Sequence, residues 1–225
     1  MSRVALPAEP PSRLGLSRAR ILDAALSLLD RVGLDEFTMR RLAAELDIGT
    51  MTLYGYFRTK DELLDALVDA GAQQLFEVSS KPRSWDERLR QLFLNLHRSH
   101  LEHPAIVELR YKRPLLSPGA LRFTEMCMEI LTGAGFDNRE AARAYRLLFV
   151  YTFGSSAFGP GRRPQADREQ TLVALSALPA DLYPVLRGAV AEAAEAMADE
   201  TLFEFGLELL LDGLKRRRRR PINQR

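Results

Sequence analysis

Apolar residues recur three or four positions apart along most of this 225-residue chain, the spacing expected of α-helices that each bury one face. Capping residues, glycines and prolines divide this pattern into separate helices. The predicted helices cover about 17–32, 38–46, 50–57, 60–76, 84–103, 105–111, 120–132, 137–153, 167–178, 182–197 and 202–214. The sequence therefore predicts an all-α protein.

The segment 38–60, TMRRLAAELDIGTMTLYGYFRTK, predicts two short helices joined by a tight turn. An apolar stripe marks the first helix, formed by Met39, Leu42, Ala43 and Leu46. Asp47 and Gly49 both tolerate a left-handed backbone, and Ile48 is apolar enough to hold the turn against the core. Leu53 and Phe57 point inward from the second helix. This is the pattern of a helix-turn-helix.

The free face of the second short helix carries small and hydroxyl-bearing side chains. Such a face suits the DNA major groove, which is about 12 Å wide and in which hydroxyl groups can contact bases or phosphates. Thr59 and Glu62 predict a capping box for the next helix, at whose positive end Lys60 adds a full charge near a bound phosphate. The predicted DNA-binding residues are Arg40, Thr50, Met51, Thr52, Tyr54, Gly55, Tyr56 and Lys60.

This segment resembles the DNA-binding domain of the tetracycline-repressor (TetR) family of bacterial transcription regulators, over roughly 17–69. The resemblance is carried by Leu42-Ala43, Leu46, Ile48, Thr52-Leu53-Tyr54, Tyr56-Phe57 and Lys60-Asp61-Glu62-Leu63-Leu64. It implies an all-helical homodimer, and it implies that Tyr54 and Lys60 contact phosphates. Two positions depart from the family pattern: Asp47 stands where glycine is usual, and Gly49 where serine or threonine often caps the recognition helix. Gly49 or Thr50 can serve as that cap.

The predicted domains are a disordered arm (1–16), a helix-turn-helix DNA-binding domain (17–62), a ligand-binding and dimerisation domain (63–214) and a basic tail (215–225). Arginines in the arm offer an alternative, contact with a phosphate backbone or minor groove. The long helix that begins at Lys60 connects the two folded domains. The helices over 137–153 and 202–214 are too apolar for the surface of a monomer, which predicts a four-helix dimer interface.

The formal net charge is +2, yet seven cations lie within 215–225, so the preceding 214 residues carry a net charge of −5. The basic isoelectric point of 8.8 thus reflects the tail. The run KRRRRR has three interpretations: a solvated end of the last helix, which we favour, a sequence-independent nucleic-acid contact, or a mimic of a nuclear-localisation signal. The single cysteine and the lack of a signal peptide or membrane span predict a cytoplasmic protein.

Aromatic and thioether side chains in the second domain predict a pocket for a small hydrophobic effector. The candidate lining residues are Phe93, His97, Tyr111, Phe123, Met126, Phe149 and Phe153, with ordinary core packing as the alternative for each. His97, His100 and His103 span a wide arc of one helix, so we expect no metal site and no cofactor. The chain lacks the motifs of acyl-transfer and nucleotide chemistry, and Cys127 lies on an apolar helix, so we expect no enzyme.

These features together predict a ligand-responsive transcription repressor that binds a palindromic DNA operator as a homodimer. An activator, or a regulator without a ligand, would share the same residues. The alternative from another class is a helical small-molecule-binding protein with a vestigial DNA-binding domain. Sequence-selective binding to DNA distinguishes the two.

Overall fold

A computed structural model of the chain describes residues 16–74, 84–112, 117–158 and 166–218. Within these ranges the chain forms twelve α-helices and no β-strand, so the predicted all-α fold is confirmed. The helices are α1 (Arg18–Glu36), α2 (Met39–Glu45), α3 (Thr50–Tyr56), α4 (Lys60–Gln74), α5 (Trp85–Glu102), α6 (Pro104–Lys112), α7 (Pro118–Gly133), α8 (Asn138–Phe158), α9 (Ala166–Ser176), α10 (Pro184–Gly188), α11 (Val190–Ala198) and α12 (Leu202–Arg218).

Helices α1 to α4 surround one apolar core. Its largest fully buried side chains are Ile21, Leu29, Phe37, Leu42, Leu53, Phe57, Leu63 and Leu64. The side chain of Ser17 caps α1 by accepting a hydrogen bond from the amide of Arg20 (3.1 Å). Gly33 interrupts α1 with a φ of 75°, and the helix continues for three more residues to Glu36, one turn beyond the predicted end.

The turn between α2 and α3 has the predicted form. Asp47 adopts the left-handed backbone, with φ 53°, and the amide of the half-buried Ile48 donates to the carbonyl oxygen of Ala43 (3.0 Å). Gly49 is the N-cap of α3 and has an ordinary φ of −69°. Of the two residues that tolerate positive φ, the chain thus uses Asp47 for the turn and Gly49 for the helix start.

A second apolar core lies between α5, α7, α8 and α12. Ser84 and Glu87 form a capping box at the start of α5, where the amide of Ser84 donates to the Glu87 carboxylate (3.0 Å). The apolar face of α5 is buried as the pattern predicts. That face consists of Leu89, Leu92, Phe93, Leu96 and His100.

Helix α6 connects the two cores. Its residues Ala105, Ile106 and Leu109 are buried in the N-terminal core. The Asp30 carboxylate of α1 accepts a hydrogen bond from the Ala105 amide (3.3 Å) and lies 3.0 Å from Nδ1 of His103. Helix α6 is thus a second connection between the two cores, in addition to the predicted one through α4. Leu75 and Phe76, which the sequence assigns to that long helix, lie outside the described residues.

Several predicted helix boundaries differ from the structure. The helix expected over 182–197 is broken into α10 and α11 at Ala189, whose φ of −126° and ψ of 27° follow the helix-weakening Gly188. The predicted start of the basic tail at 215 falls inside α12. Lys215 is 2.7 Å from the Asp86 carboxylate and Arg217 is 3.2 Å from that of Glu140, so carboxylates of α5 and α8 extend the helix into the cationic run.

Helices α8 and α12 both expose apolar side chains. Leu147 and Val150 on α8, and Phe205 and Leu209 on α12, are each about half exposed or more. This surface is the one that the sequence assigns to a dimer interface. Among the described helices, none combines the length and the apolar character needed to cross a lipid bilayer. The predicted arm lies almost wholly outside the described residues, as do 219–225 of the tail.

Candidate nucleic-acid interface and ligand clefts

Helix α3 is held by two completely buried side chains, Leu53 and Phe57. Its opposite face is open to solvent: the Met51 side chain is 81% exposed and that of Tyr54 is 41% exposed. Thr50, Thr52 and Gly55 lie on the same accessible side of this helix. The predicted recognition surface is therefore one continuous face of a short, firmly anchored helix. An exposed Met51 can contact the methyl group of thymine, and the threonine hydroxyls can bond to bases or phosphates.

Tyr56 is less available than the rest of this set. Its hydroxyl group donates to the carbonyl oxygen of Leu16 (3.1 Å), and its own carbonyl oxygen accepts from the Arg18 guanidinium (2.7 Å). Arg18 also lies 4.1 Å from the centre of the Phe57 ring. Together these contacts fix the end of α3 to the start of α1. Sequence reasoning missed Arg18, because its partners are about 40 positions away in the chain.

Lys60 faces the protein as well as solvent. Its Nζ atom donates to the carbonyl oxygen of Phe37 (2.6 Å), has a longer contact with that of Leu34 (3.4 Å) and lies 5.5 Å from the Phe37 ring centre. Two of its three N–H groups are thus directed at backbone carbonyls, which leaves one for a phosphate. Beside it, the Thr59 hydroxyl accepts from the Glu62 amide (3.0 Å) as expected.

The Glu62 carboxylate does not complete the predicted capping box. It accepts from the amide of Arg58 (2.8 Å), one residue before the expected donor, Thr59. Glu62 also lies 3.7 Å from the Arg18 guanidinium. This carboxylate therefore joins the loop before α4 to α1, and the cap of α4 depends on the Thr59 hydroxyl.

The arginines around α2 differ in their availability. Arg41 pairs with Glu36 and Arg31 with Glu45, each at 2.8 Å. Arg40 is exposed and forms no ion pair with any residue that the structure describes. Of these three cations, Arg40 is the one whose charge is least neutralised, and its contact with DNA stays a prediction.

A cleft of about 570 Å³ lies between α6 and α8, and we call it the arginine cleft. Three predicted effector-binding residues line it: Tyr111, which is 81% exposed, Phe149, which is buried, and Phe153, which is half-buried. Arg110 and Arg146 line the same cleft. The described residues that line it are Val107, Glu108, Arg110, Tyr111, Arg146, Phe149, Val150, Phe153, Gly154, Ala157 and Phe158.

A second cleft, of about 770 Å³, lies between α5, α8 and the start of α12. Its lining includes Asp199, Glu200 and Glu204, so we call it the acidic cleft. Predicted residue His97 faces it: the imidazole Nδ1 is 2.9 Å from the Ser156 hydroxyl, and the ring stacks on Phe203 with 3.8 Å between centroids. Burial lowers the pKa of His97, and the negative charge of Glu204 opposes this shift.

The remaining candidates, Phe93, Phe123 and Met126, line neither cleft. Phe93 and Phe123 are buried and pack edge to face at 5.6 Å, and Met126 packs against the same core. The seven predicted residues are therefore divided among two clefts and the core. Arg110 was missed, because a charged residue in an apolar helix is ordinarily assigned to solvent.

Two of the three histidines share a partner, although the sequence expects all three to spread over a wide arc. Nδ1 of His97 and Nδ1 of His100 both point to the Ser156 hydroxyl (2.9 and 3.3 Å), whereas His103 turns to Asp30. In the described ranges no cluster of three or more histidine, cysteine, aspartate or glutamate side chains is arranged to hold a metal ion. Burial raises the pKa of the Cys127 thiol, which keeps it protonated and unreactive.

Two family models match the chain. Residues 21–67 match the tetR family of bacterial regulatory proteins, and residues 79–218 match the tetracyclin repressor-like C-terminal domain. The two matched regions correspond to the helix-turn-helix unit and to most of the helical bundle that holds the clefts.

Individual proteins are similar over most of the chain. An HTH-type transcriptional regulator of Saccharopolyspora erythraea is 34% identical over 177 residues, covering 77% of this chain and 74% of the relative. The class A tetracycline repressor from transposon 1721 in Escherichia coli is 30% identical, with 88% and 90% covered. The crystal structure of the Streptomyces coelicolor TetR family protein ActR in complex with actinorhodin superposes with a TM-score of 0.76 at 29% identity, covering 90% of this chain and 98% of ActR.

Proposed function

The chain belongs to the tetR family of bacterial regulatory proteins, and we propose that it represses transcription by binding a palindromic DNA operator as a homodimer. A small hydrophobic effector releases it from the operator. The observation that carries this proposal is the geometry of α3. Its outer face, from Thr50 to Gly55, is accessible to a major groove, while Leu53 and Phe57 fix the helix to the domain core.

Dimerisation follows from the limits of one recognition helix. A helix of seven residues reads only a few base pairs, whereas two such helices about 34 Å apart read a two-fold symmetric site with much greater selectivity. The exposed apolar side chains of α8 and α12 offer the surface for such pairing. Burying Leu147, Val150, Phe205 and Leu209 against a second copy removes apolar area from water, which favours association.

The effector response is supported by the position of α6. One side of this helix lines the arginine cleft, while Ala105, Ile106 and Leu109 pack into the core of the DNA-binding unit. A ligand that moves α6 therefore also moves the unit that carries α3. A coupling free energy of about 1–3 kcal/mol would change the DNA affinity by about 5- to 150-fold. The ActR complex with actinorhodin is the precedent for a bound small molecule on a similar fold.

The proposal places the protein in the bacterial cytoplasm with chromosomal DNA. Its direct test is repeated selection from a pool of random duplexes with the full-length protein, followed by sequencing of the bound DNA. We expect enrichment of a palindrome, and we expect a single half-site to bind far more weakly. A carrier with a vestigial DNA-binding domain would enrich no sequence, and that result would exclude the repressor.

Two threonine variants locate the contact surface. Thr52→Ala removes a hydroxyl from the exposed face of α3 and should change the selected bases in each half-site. Thr132→Ala removes an exposed hydroxyl from the C-terminal end of α7 and serves as the matched control, with an unchanged selected sequence. If the two variants select the same site as the parent, α3 is not the reading helix.

A further inference from the structure

The arginine cleft contains a buried guanidinium whose charge is incompletely satisfied. Arg110 is only 8% exposed, and its Nε atom has no hydrogen-bond partner among the residues that the structure describes. Arg110 also forms no ion pair with any described residue, since each described arginine–carboxylate pair within 4 Å involves a different arginine. Burying an arginine in this way is costly unless an acceptor is supplied.

The nearest compensating groups are already engaged. Burial lowers the pKa of Arg110, and Tyr145 and Asp69 oppose this shift from nearby. The Asp69 carboxylate, however, accepts a hydrogen bond from the Gly119 amide (2.9 Å), and the Tyr145 hydroxyl oxygen lies 2.8 Å from that of Thr124. Neither group makes a direct hydrogen bond to the guanidinium. The Arg110 guanidinium therefore lines the cleft with a donor, its Nε–H group, that no described residue satisfies.

The rest of the lining determines what kind of molecule could supply the acceptor. Phe149 and Phe153 present nearly parallel rings, 6.2 Å apart with 18° between their planes, and Tyr111 projects at the rim. Among the described residues, the charged side chains of the lining are two arginines, Arg110 and Arg146, and one glutamate, Glu108, which gives a positive balance. The acidic cleft has the opposite balance, because three carboxylates outnumber its one arginine.

We propose that the arginine cleft binds an aromatic organic anion, whose acidic group accepts hydrogen bonds from Arg110 while its rings pack against Phe149, Phe153 and Tyr111. Arginine suits this task, because its planar donors match the two oxygens of a carboxylate or the oxygens of a sulfonate. The inference rests on the proposed effector-responsive function and specifies the chemical class of the effector.

The test uses two fluorescent probes with the same ring system and different charge. One is 1-anilinonaphthalene-8-sulfonate, and the other is N-phenyl-1-naphthylamine, which lacks the sulfonate. Each is titrated into the full-length protein. We expect the anionic probe to bind at least about tenfold more tightly, as one charge-assisted contact in a partly desolvated site would give. Equal affinities for the two probes would overturn the proposal.

Substitutions assign the preference to one residue. Arg110→Met retains an unbranched apolar side chain, and it should abolish the preference for the sulfonate while leaving affinity for the neutral probe unchanged. Arg143→Met removes an exposed arginine of α8 that lies outside this cleft, and it should preserve the preference. Loss of both probes together in Arg110→Met, or an equal effect of Arg143→Met, would contradict a specific anion contact.

Circular dichroism melting confirms that each variant is folded. If Arg110→Met does not fold, Arg110→Lys replaces it: retained charge with fewer donors should weaken the sulfonate probe and keep a reduced preference. The same preparations are then tested for selective DNA binding. If the parent protein binds the two probes equally but still selects a DNA sequence, the anion inference alone is rejected. If the parent protein selects no DNA sequence, the proposed function is rejected.

Discussion

The Tyr151 side chain crosses α12 directly over Gly206. Its hydroxyl group shares a hydrogen bond between the carbonyl oxygens of Leu202 (3.0 Å) and Phe203 (3.1 Å), and its ring stacks on that of Phe203. A Cβ atom at position 206 would overlap the Tyr151 hydroxyl group. The glycine thus permits the close approach of α8 and α12, the two helices that carry the exposed apolar surface.

Gly206→Ala should lower the free energy of unfolding by about 1–3 kcal/mol, because the new methyl group displaces the Tyr151 ring. This expected loss of stability is opposite to the usual effect of replacing glycine by alanine inside a helix, which stabilises the helix by about 1 kcal/mol. Gly213→Ala in the same helix meets no atom within contact range and should be neutral or stabilising. Urea denaturation of both variants tests this difference; similar stabilities would show that Tyr151 moves aside at little cost.

Lys60 should contribute to stability and to DNA binding through different N–H groups. Lys60→Met keeps much of the stem, so it removes chiefly the hydrogen bond to Phe37 and the charge. We expect a loss of about 1 kcal/mol in unfolding free energy. If the remaining N–H group contacts a phosphate, the variant should also bind all sequences more weakly, and the slope of log affinity against log salt should fall by about 1.

The two readouts separate the roles of Lys60. Thermal denaturation reports the contact with the Phe37 carbonyl, and DNA titrations at several salt concentrations report the phosphate contact. Arg58→Met is a suitable control, because Arg58 is an exposed cation two positions earlier in the chain. A stability loss with an unchanged salt slope would assign Lys60 to the protein fold alone.

Leu147→Glu should convert the protein to a monomer. Leu147 is 48% exposed on α8, and in the proposed dimer its replacement would bury an unpaired carboxylate at a cost of several kcal/mol. The dimer dissociation constant should rise by at least about 100-fold. Leu121→Glu on α7 changes a leucine of similar exposure, 51%, away from the α8–α12 surface and should leave the dimer intact. Sedimentation equilibrium measures both; a monomeric parent protein would refute the interface.

Local sequence signals predicted the elements that depend on neighbouring residues. Ser17, Thr38 and Ser84 each cap the helix that follows, as their hydroxyl groups and positions indicate. The turn at Asp47 and the buried pair under α3 were likewise available from spacing, because a short helix has few ways to bury two apolar residues. The helix-turn-helix was therefore predictable almost residue by residue.

Contacts between distant segments were not predictable in this way. Consecutive residues Leu109, Arg110 and Tyr111 are 0%, 8% and 81% exposed, and no periodicity places a buried arginine between them. Their environments depend on how α6 packs between the two cores and α8. For the same reason the aromatic residues proposed for one pocket are divided between clefts and core, although each was correctly assigned to a helix.

The stability of the protein should depend on pH through His97. Burial lowers its pKa in the folded state, so the unfolded chain takes up the proton first as the pH falls. The free energy of unfolding should consequently decrease below about pH 6.5, the ordinary value for histidine, and level off below the folded-state pKa. Above that range the neutral ring remains stacked on Phe203 and the effect is absent.

His97→Gln removes this proton uptake. The variant loses the stacking on Phe203 at every pH, so its overall stability is not informative, whereas the change in stability between about pH 7.5 and pH 5.5 isolates the titration. We expect a smaller loss on acidification in His97→Gln than in the parent protein, measured by urea denaturation at matched ionic strength. His100, whose Nδ1 atom also contacts the Ser156 hydroxyl, and His103 are retained in both proteins. An equal loss in the two proteins would mean that His97 does not take up its proton preferentially on unfolding, and that the acidic cleft leaves it as solvated as an exposed histidine.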